Sequence, residues 1–245
     1  KDVVENPFLR QSFRGAMDFL MTKRAAQFPD PEELETLRTL GEQIRQYNLA
    51  RLPDLLVRLE ENLARNGVHV HWAETPDEAN EIILGICNAH SAKLMVKGKS
   101  MVSEEIEFNH AAEAAGVDAL ESDMGEYIVQ LAGEKPSHII MPAIHKTKQE
   151  IAELFAAKVP GIDYTDNVDE LIQIGRRVLR QKFLEADIGL SGVNFAIAET
   201  GTLCLVENEG NGRMCTTAPA VHVAITGIEK IVEKLAHVPP LLSLL

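Results

Sequence analysis

The sequence has little cysteine. Cys87, Cys204 and Cys215 are the only cysteines among 245 residues, and they are too few and too scattered for a disulfide framework. No C-x-x-C pair occurs, so the thiols of one copy cannot build a zinc site or a four-cysteine iron–sulfur cluster. This cysteine usage predicts a reducing, cytoplasmic location and no metal or cofactor in this chain.

Positive charge and long apolar runs are also scarce. The chain has 24 Lys and Arg against 37 Asp and Glu, a net charge of −13, which argues against general binding to nucleic acid or to anionic membranes. An apolar run such as 139–144 falls far short of the roughly 20 residues that a membrane-spanning helix needs. No signal-peptide pattern is present at the N-terminus. The sequence therefore predicts no nucleic-acid partner and no membrane insertion.

Residues 1–66 have the pattern of an N-terminal helical arm. Pro-Glu-Glu at 31–33 makes a good first helical turn, and apolar residues then recur at helical spacing. Pro53 breaks or restarts the helix, which then runs to Asn66. Because the arm has no strand of its own, it must pack on the following domain or on a partner.

From residue 67 onward strands and helices alternate, which predicts an α/β domain over 67–245. The predicted strands of its first part are 68–72, 93–96, 117–120 and 138–141. The predicted helices begin at residues 75, 104, 127, 147 and 167. The helix from 104 stops at Gly116, and the helix from 167 ends near residue 183. The helix from 147 begins with a capping box formed by Thr147 and Glu150. This order implies a mainly parallel sheet with helices on both faces.

After residue 187 the pattern changes to a hairpin. Segments 195–198 and 203–206 are predicted strands, joined by a tight turn in which Gly201 supplies a positive φ. Residues 221–225 form another predicted strand, followed by a helix near Gly227. The predicted fold class is therefore mixed α/β, a parallel core with an antiparallel end.

Ligands of parallel α/β sheets bind beyond the carboxyl ends of the strands. Most polar, glycine-bearing segments of this chain fall at such ends: 97–100, 121–123, 145–146, 199–202 and 208–213. At the first of them, Lys97, Lys99 and Ser100 precede a helix and suit an anion, although the spacing of a P-loop is absent. The alternative for this segment is a solvated turn with exposed lysines.

Two residues are candidates for catalysis. His145 follows a predicted buried strand and is a candidate general base or anion ligand, or else it caps a loop. Glu199 ends a strand at a tight turn and is a candidate nucleophile or base, or else its carboxylate accepts backbone N–H groups. Thr200, Gly201 and Thr202 of the same turn are candidate ligand contacts.

Residues 208–217 (N-E-G-N-G-R-M-C-T-T) combine glycines that allow close approach, an arginine that can grip a carboxylate or phosphate, and two threonine hydroxyls. The candidate ligand contacts are Asn208, Gly210, Asn211, Arg213, Thr216 and Thr217. Cys215 is predicted to be a packed thiol. His69 and His71 could chelate a metal from one face of strand 68–72, but without a third ligand a surface pair is favoured.

Four segments resemble the lactate utilization protein B family, iron–sulfur proteins of bacterial L-lactate oxidation. They are K-G-K-S-M-V-S-E-E-I (97–106), S-D-M-G-E-Y-I-V-Q-L (122–131), P-S-H-I-I-M-P-A-I-H-K (136–146) and N-F-A-I-A-E-T-G-T-L-C-L-V-E-N-E-G-N-G-R-M-C-T-T-A-P (194–219). The resemblance runs from the N-terminal helices to about residue 245. It implies a LUD domain similar in fold to ribose-5-phosphate isomerase, glucosamine-6-phosphate deaminase and the coenzyme A transferases.

The resemblance also implies a subunit of a three-protein complex that oxidises L-lactate to pyruvate with electron transfer. Family members carry two [4Fe–4S] clusters in a C-terminal ferredoxin-like region. This sequence starts at Lys1 and ends before any such motif, so we expect it to be a piece of a longer protein.

Three hypotheses follow. The chain is the non-cluster domain of a lactate-oxidising protein, binding a small anionic or nucleotide-like ligand and partner subunits, and is not a catalyst alone. As a variant of this, it is a pure scaffold that docks through its N-terminal helices. The alternative is a stand-alone isomerase or acyl-/CoA-transferase-like enzyme that uses Glu199, with residues 210–213 holding a phosphate or acyl carrier.

Overall fold

The computed structural model describes residues 7–134 and 142–245. The helices within these ranges are α1 (Pro7–Gln27), α2 (Pro31–Ala50), α3 (Leu52–Arg65), α4 (Pro76–Ala89), α5 (Met101–Glu105), α6 (Phe108–Ala114), α7 (Met124–Ala132), α8 (Lys148–Lys158), α9 (Val168–Glu185), α10 (Asn211–Thr217) and α11 (Val238–Leu242). The strands are β1 (Leu94–Lys97), β2 (Asp118–Glu121), β3 (Ile188–Gly192), β4 (Phe195–Ile197), β5 (Thr202–Cys204), β6 (Val221–Ile225) and β7 (Ile231–Val232). Single 3₁₀ turns cover Ile228–Lys230 and Leu235–His237.

The strands form two sheets. The first sheet has the order β2-β1-β3-β6 and is parallel throughout. The second sheet has the order β5-β4-β7, in which β4 pairs antiparallel with β5 and parallel with β7. The predicted α/β class with a mainly parallel sheet is confirmed, but the antiparallel hairpin belongs to a separate sheet. The likeness to the isomerase and transferase folds stays a prediction.

Helices cover both faces of the first sheet. On β1, Met95 packs with α4 and α6 on one face, whereas the adjacent Val96 packs with α7, α8 and α9 on the other. Both side chains are fully buried, as expected for a central parallel strand between two helical layers. The predicted apolar face of α9 is confirmed, since Leu171, Ile174 and Phe183 lie in the second of these cores.

The central strand β3 was not predicted. Its sequence, I-G-L-S-G, contains two glycines that weaken the apolar strand signal. Gly189 is required by packing, because a Cβ there would lie 1.8 Å from the carbonyl oxygen of Cys215 on α10. The glycine lets α10 lie directly against the strand.

Several sequence predictions need correction. Residues 68–72 do not pair as a strand, so His69 and His71 share no sheet face and are simply exposed. The helix predicted over 104–115 is two short helices, interrupted at Glu107, whose φ of 51° is left-handed. The helix predicted near Gly227 is a single 3₁₀ turn that leads into β7. The predicted strand 138–141 lies outside the described residues.

Local signals at chain reversals are confirmed. Thr147 and Glu150 form the predicted capping box at the start of α8. Gly201 has the predicted positive φ, at 63°, in the turn between β4 and β5. Asn66 and Gly67 end α3, where Gly67 adopts a φ of 81°.

The arm helices α2 and α3 pack on the second sheet. Apolar side chains of α3, such as Leu55 and Leu59, share a core with Ala196 and Ile231. The carboxylate of Glu233, directly after β7, lies 2.8 Å from Arg51 Nη1 at the junction of α2 and α3. These two helices of the arm thus cover the second sheet. The domain boundary predicted at residue 66 stays a prediction. None of the described helices is long and apolar enough to cross a membrane.

Candidate functional site

A buried ion pair lies at the carboxyl end of the first sheet. Lys97 ends β1 and Glu121 ends the neighbouring β2, and Lys97 Nζ lies 2.7 Å from Glu121 Oε1. Lys97 Nζ also donates to Asn109 Oδ1 at 2.6 Å, and Asn109 Nδ2 donates to Glu121 Oε1 at 2.8 Å. Lys97 is only 1% exposed. Its ammonium group is therefore held inside the protein instead of facing solvent.

A cavity of about 300 Å³ borders this ion pair. Its lining is polar and rich in carboxylates. The lining residues are Lys97, Ser103, Glu104, Glu107, Phe108, Asn109, His110, Glu121, Glu126, Gln130 and Glu134. Five glutamates surround one lysine, so an anion would be repelled unless protons or cations accompanied it. Lys97 is therefore poorly placed as the anion ligand predicted from the sequence.

His145 lies beside this cavity through its contact with Glu134. His145 Nε2 is 2.7 Å from Glu134 Oε2, and Lys146 Nζ donates to the other oxygen of the same carboxylate. The hydrogen bonds from Lys146, and after it from His145, lower the pKa of Glu134. The imidazole is thus paired with a carboxylate, and its predicted catalytic role stays a prediction.

The loop 98–100 and the segment 207–213, which ends in the first turn of α10, meet at two glycines. A Cβ on Gly98 would lie 3.8 Å from the Cα of Gly212 and 3.8 Å from Cys215 Sγ. Lys99 and Arg213 are the next residues along each segment, and both are exposed. Ser100 is buried and caps α5, since its hydroxyl accepts a hydrogen bond from Ser103 N. Of the cationic side chains predicted to bind a ligand, Lys99 and Arg213 are therefore the two that are exposed to solvent. They lie on adjoining segments of the chain.

Carboxylates accompany both cations. Glu207 accepts a hydrogen bond from Arg213 N at 2.6 Å and lies 3.1 Å from Arg213 Nη2. Desolvation, and after it the nearby Asp123, raises the pKa of Glu209, while Lys99 lowers it. An incoming anion would thus compete with Glu207 for an arginine side chain that is 77% exposed.

The rest of the 208–217 segment forms the start and body of α10. Gly210, with a φ of 81°, is the residue before the helix, and Asn211 is its first residue; Asn208 is exposed in the preceding loop. Thr216 and Thr217 donate their hydroxyls to the carbonyl oxygen of Arg213, at 2.9 and 2.7 Å. Those two hydroxyls are therefore engaged within the helix.

Cys215 is a packed thiol, in keeping with the sequence prediction. It is fully buried, its Sγ lies 3.4 Å from Ser122 Oγ, and burial raises its pKa to about 11.

Glu199 and its turn lie in the second sheet. The Glu199 carboxylate accepts a hydrogen bond from Leu235 N at 3.1 Å. Asn62 and Asn66 of α3 donate side-chain hydrogen bonds to the carbonyls of residues 198–201. The Thr200 hydroxyl donates to that of Thr202 at 2.8 Å. The structure thus gives Glu199, Thr200 and Gly201 contacts with the arm, and Thr202 a contact with Thr200. No described contact joins these four residues to Lys99 or Arg213.

Asn109 and Gln130 were missed by sequence reasoning. Asn109 bridges the ion pair, and Gln130 bonds the backbone of β2 at Glu121 N and Ala119 O, at 2.9 and 2.8 Å. Both are single amides inside helices, and nothing in their spacing marks them. Among the described residues, no group of three or more His, Cys, Asp or Glu side chains is placed to hold a metal ion.

Comparison with known proteins identifies the family of the chain. The LUD domain matches residues 56–244. The chain belongs to the LUD domain family. It is also 41% identical over 244 residues to lactate utilization protein B of Bacillus cereus (strain B4264) and of Bacillus thuringiensis (strain Al Hakam), and to lactate utilization protein B 2 of Bacillus mycoides (strain KBAB4).

The match to these relatives covers all of this chain and 51% of each relative. The chain therefore spans about half the length of the curated relatives it matches, and the resemblance inferred from its motifs is confirmed. No solved structure gave a significant match. These relatives are named for lactate utilization.

Proposed function

We propose that this LUD domain is part of a cytoplasmic iron–sulfur protein that works with partner subunits to oxidise L-lactate to pyruvate and pass the electrons on. The observation that carries the proposal is the 41% identity with lactate utilization protein B along the whole chain. The [4Fe–4S] clusters are assigned to a ferredoxin-like region outside these 245 residues. In this proposal the isolated domain is not a catalyst.

The ligand in this proposal is a small anion bound by Lys99 and Arg213. Their segments touch at Gly98 and Gly212, both side chains are exposed, and an arginine suits a carboxylate such as that of lactate or pyruvate. Binding would displace Glu207 from Arg213 or add a second acceptor to its guanidinium. Asn208 and Gly210 lie in the loop before α10, and Asn211 is the first residue of this helix, which carries Arg213.

Lys97 acts as a positioning residue in this proposal. Its bonds to Glu121 and Asn109 fix the end of β1, from which the loop 98–100 departs. Gly98 N also donates to the carbonyl of Leu190 on β3 at 2.7 Å, which fixes the first residue of that loop. The buried pair thus helps to place Lys99 relative to Arg213.

Growth on L-lactate tests the functional proposal. A bacterium that lacks its own lactate utilization protein B is given the full reading frame that encodes this chain, and growth on L-lactate should return. The purified product of that frame should contain iron and acid-labile sulfide. Normal protein abundance without growth on lactate, or without iron, contradicts the proposal.

Direct binding tests the ligand. Calorimetric titration of the chain with L-lactate, pyruvate or inorganic phosphate should show saturable binding of at least one of them. Lys99→Ala and Arg213→Ala should each weaken it about tenfold or more, as expected for loss of a charged hydrogen bond. The matched control, Arg38→Ala, removes an exposed arginine from α2 and should leave binding unchanged. Equal binding in all variants contradicts the site.

The alternative, a stand-alone isomerase or acyl-/CoA-transferase-like enzyme that uses Glu199, has less support. The Glu199 carboxylate already accepts the N–H of Leu235, and its turn contacts α3. Turnover of an acyl-coenzyme A or a sugar phosphate by this chain alone, lost in Glu199→Gln, would replace our proposal with this one.

A further inference from the structure

Helix α1 is a basic element in an acidic protein. Over Pro7–Gln27 it carries Arg10, Arg14, Lys23 and Arg24 against a single acid, Asp18, a net charge of +3. Because the whole chain has a net charge of −13, the remainder carries −16. The helix therefore differs in charge from the body to which it is attached.

One face of α1 combines arginine and exposed methionine. Arg10, Arg14, Met17, Met21 and Arg24 follow one another at spacings of four, three, four and three residues, so they form one stripe along the helix. Met17 and Met21 are 41% and 65% exposed. A helix of 21 residues is about 31 Å long. Exposed apolar side chains along such a length are typical of an interaction surface.

A groove with the opposite charge lies beside the start of α9. It has a volume of about 490 Å³ and is lined by Gly161, Ile162, Asp163, Tyr164, Thr165, Asp169, Glu170, Gln173, Ile174 and Arg177. The lining contains three carboxylates, those of Asp163, Asp169 and Glu170, against one cation, Arg177. The groove also offers apolar surface, since Tyr164 is 55% exposed and the adjoining Val168 of α9 is 53% exposed.

We propose that α1 of one copy docks into this groove on a second copy, and that the second copy does the same in return. The arginines of the stripe would face Asp163 and Asp169, and the methionines would pack on Tyr164 and Ile162. A reciprocal exchange of this kind is an isologous two-fold dimer, in which each groove is filled and each stripe is covered. Charge complementarity between stripe and groove is the argument for a second copy. The inference is independent of the role in lactate utilization.

Charge reversal tests the dimer in solution. Sedimentation velocity on the chain should show a species of twice 27.0 kDa. The variants Arg10→Glu/Arg14→Glu and Asp163→Lys/Asp169→Lys should each sediment as monomers, with a dissociation constant raised at least tenfold. Mixed together, the two variants should dimerise again, because each mutated helix then meets the mutated groove and each native helix meets a native groove.

Matched controls keep the test specific. Arg38→Glu/Arg65→Glu makes the same change of charge on exposed residues of α2 and α3 and should remain dimeric. Circular dichroism should show that every variant is folded; if the groove pair is not, Asp163→Lys alone replaces it. The proposal is overturned if the native chain is still monomeric at about 100 µM, a concentration about ten times the dissociation constant of a weak dimer. So does a mixture that fails to dimerise while each variant is folded.

Discussion

The two sheets each contain a buried carboxylate in an ion pair, but the two pairs differ in their cations. Glu121 and Glu233 are 8% and 5% exposed. Lys97, the partner of Glu121, is itself sealed, whereas the side chain of Arg51, the partner of Glu233, is 41% exposed. A second cation also approaches this carboxylate, since Arg58 Nη1 lies 3.7 Å from the same Glu233 oxygen.

The difference indicates different roles. A fully buried ion pair contributes little net stability, because desolvation of both charges offsets their attraction, and it is costly to break. The Lys97–Glu121 pair also borders a cavity at the carboxyl edge of the first sheet, where α/β proteins bind ligands. The Arg51–Glu233 pair joins the arm to the second sheet and keeps its cation in solvent. We therefore connect the first pair with the site and the second with the fold.

The largest expected effect is from breaking the sealed pair. Lys97→Ala leaves the carboxylate of Glu121 buried beside Asn109, and the free energy of unfolding should fall by about 3–5 kcal/mol. The double variant Lys97→Met/Glu121→Leu removes both charges and should lose much less. Urea unfolding measures both. Arg51→Ala, the comparison in the second sheet, should cost less than Lys97→Ala; an equal cost would remove the distinction between the pairs.

Glycine substitutions probe the packing of the two regions. Gly189→Ala places a Cβ 1.8 Å from the Cys215 carbonyl, and Gly201→Ala places one 2.6 Å from the backbone of Asn62 at a φ of 63°. Each should lower the free energy of unfolding by about 3 kcal/mol, since backbone must move to make room. Gly85→Ala in α4 meets nothing within 4 Å and should be neutral or stabilising by up to about 1 kcal/mol. Thermal unfolding that ranks all three alike would contradict the packing described.

Acid should weaken the attachment of the arm. The Tyr47 hydroxyl, and then Arg51, lower the pKa of Glu233 below its ordinary 4.5, although desolvation opposes them. A carboxylate whose pKa is lowered by folding stabilises the protein above its unfolded pKa, and this stabilisation is lost as the pH falls from about 4.5 through the folded value. Glu233→Gln should therefore show a shallower loss of unfolding free energy in this pH range. An unchanged slope would mean that Glu233 titrates alike in both states.

The smallest expected effect concerns the thiol at the first sheet. Because burial raises the pKa of Cys215 to about 11, its thiolate fraction at pH 8 should be roughly 100-fold below that of a thiol with a pKa of 9. Alkylation of the folded protein by iodoacetamide, read by peptide mass spectrometry, should leave Cys215 unlabelled long after it labels the unfolded chain. Rapid labelling in the folded state would indicate an open and reactive thiol.

Signals that depend on neighbouring residues were readable from the sequence. The capping box at Thr147, the amphipathic face of α9 and the positive φ of Gly201 each arise within a few residues of chain, and all three were predicted correctly. The strand β3 was not, because its Gly189 serves a contact with Cys215 on α10, more than twenty residues away in the chain. Residues 68–72 have apolar alternation, but no strand within the described ranges pairs with them.

The candidate site shows the same limit. The sequence predicts that Lys97, Lys99 and Arg213 lie at one edge of the sheet. Only the fold shows that Lys97 is buried while the other two cations are exposed. The partners of Lys97 lie 12 and 24 residues away in the chain, on α6 and β2, so no local sequence pattern could predict them. Glu199 illustrates the converse, since its turn resembles a strand-end site but packs on the arm through Asn62 and Asn66.

Growth on L-lactate of cells that carry site variants tests the central claim most directly. The full reading frame with Lys99→Ala, Arg213→Ala or the control Arg38→Ala is placed in the strain without lactate utilization protein B, and protein abundance is checked by immunoblot. We predict that both site variants lose growth on lactate at normal abundance while the control grows. Undiminished growth of both site variants would contradict the assignment of this edge as the functional site.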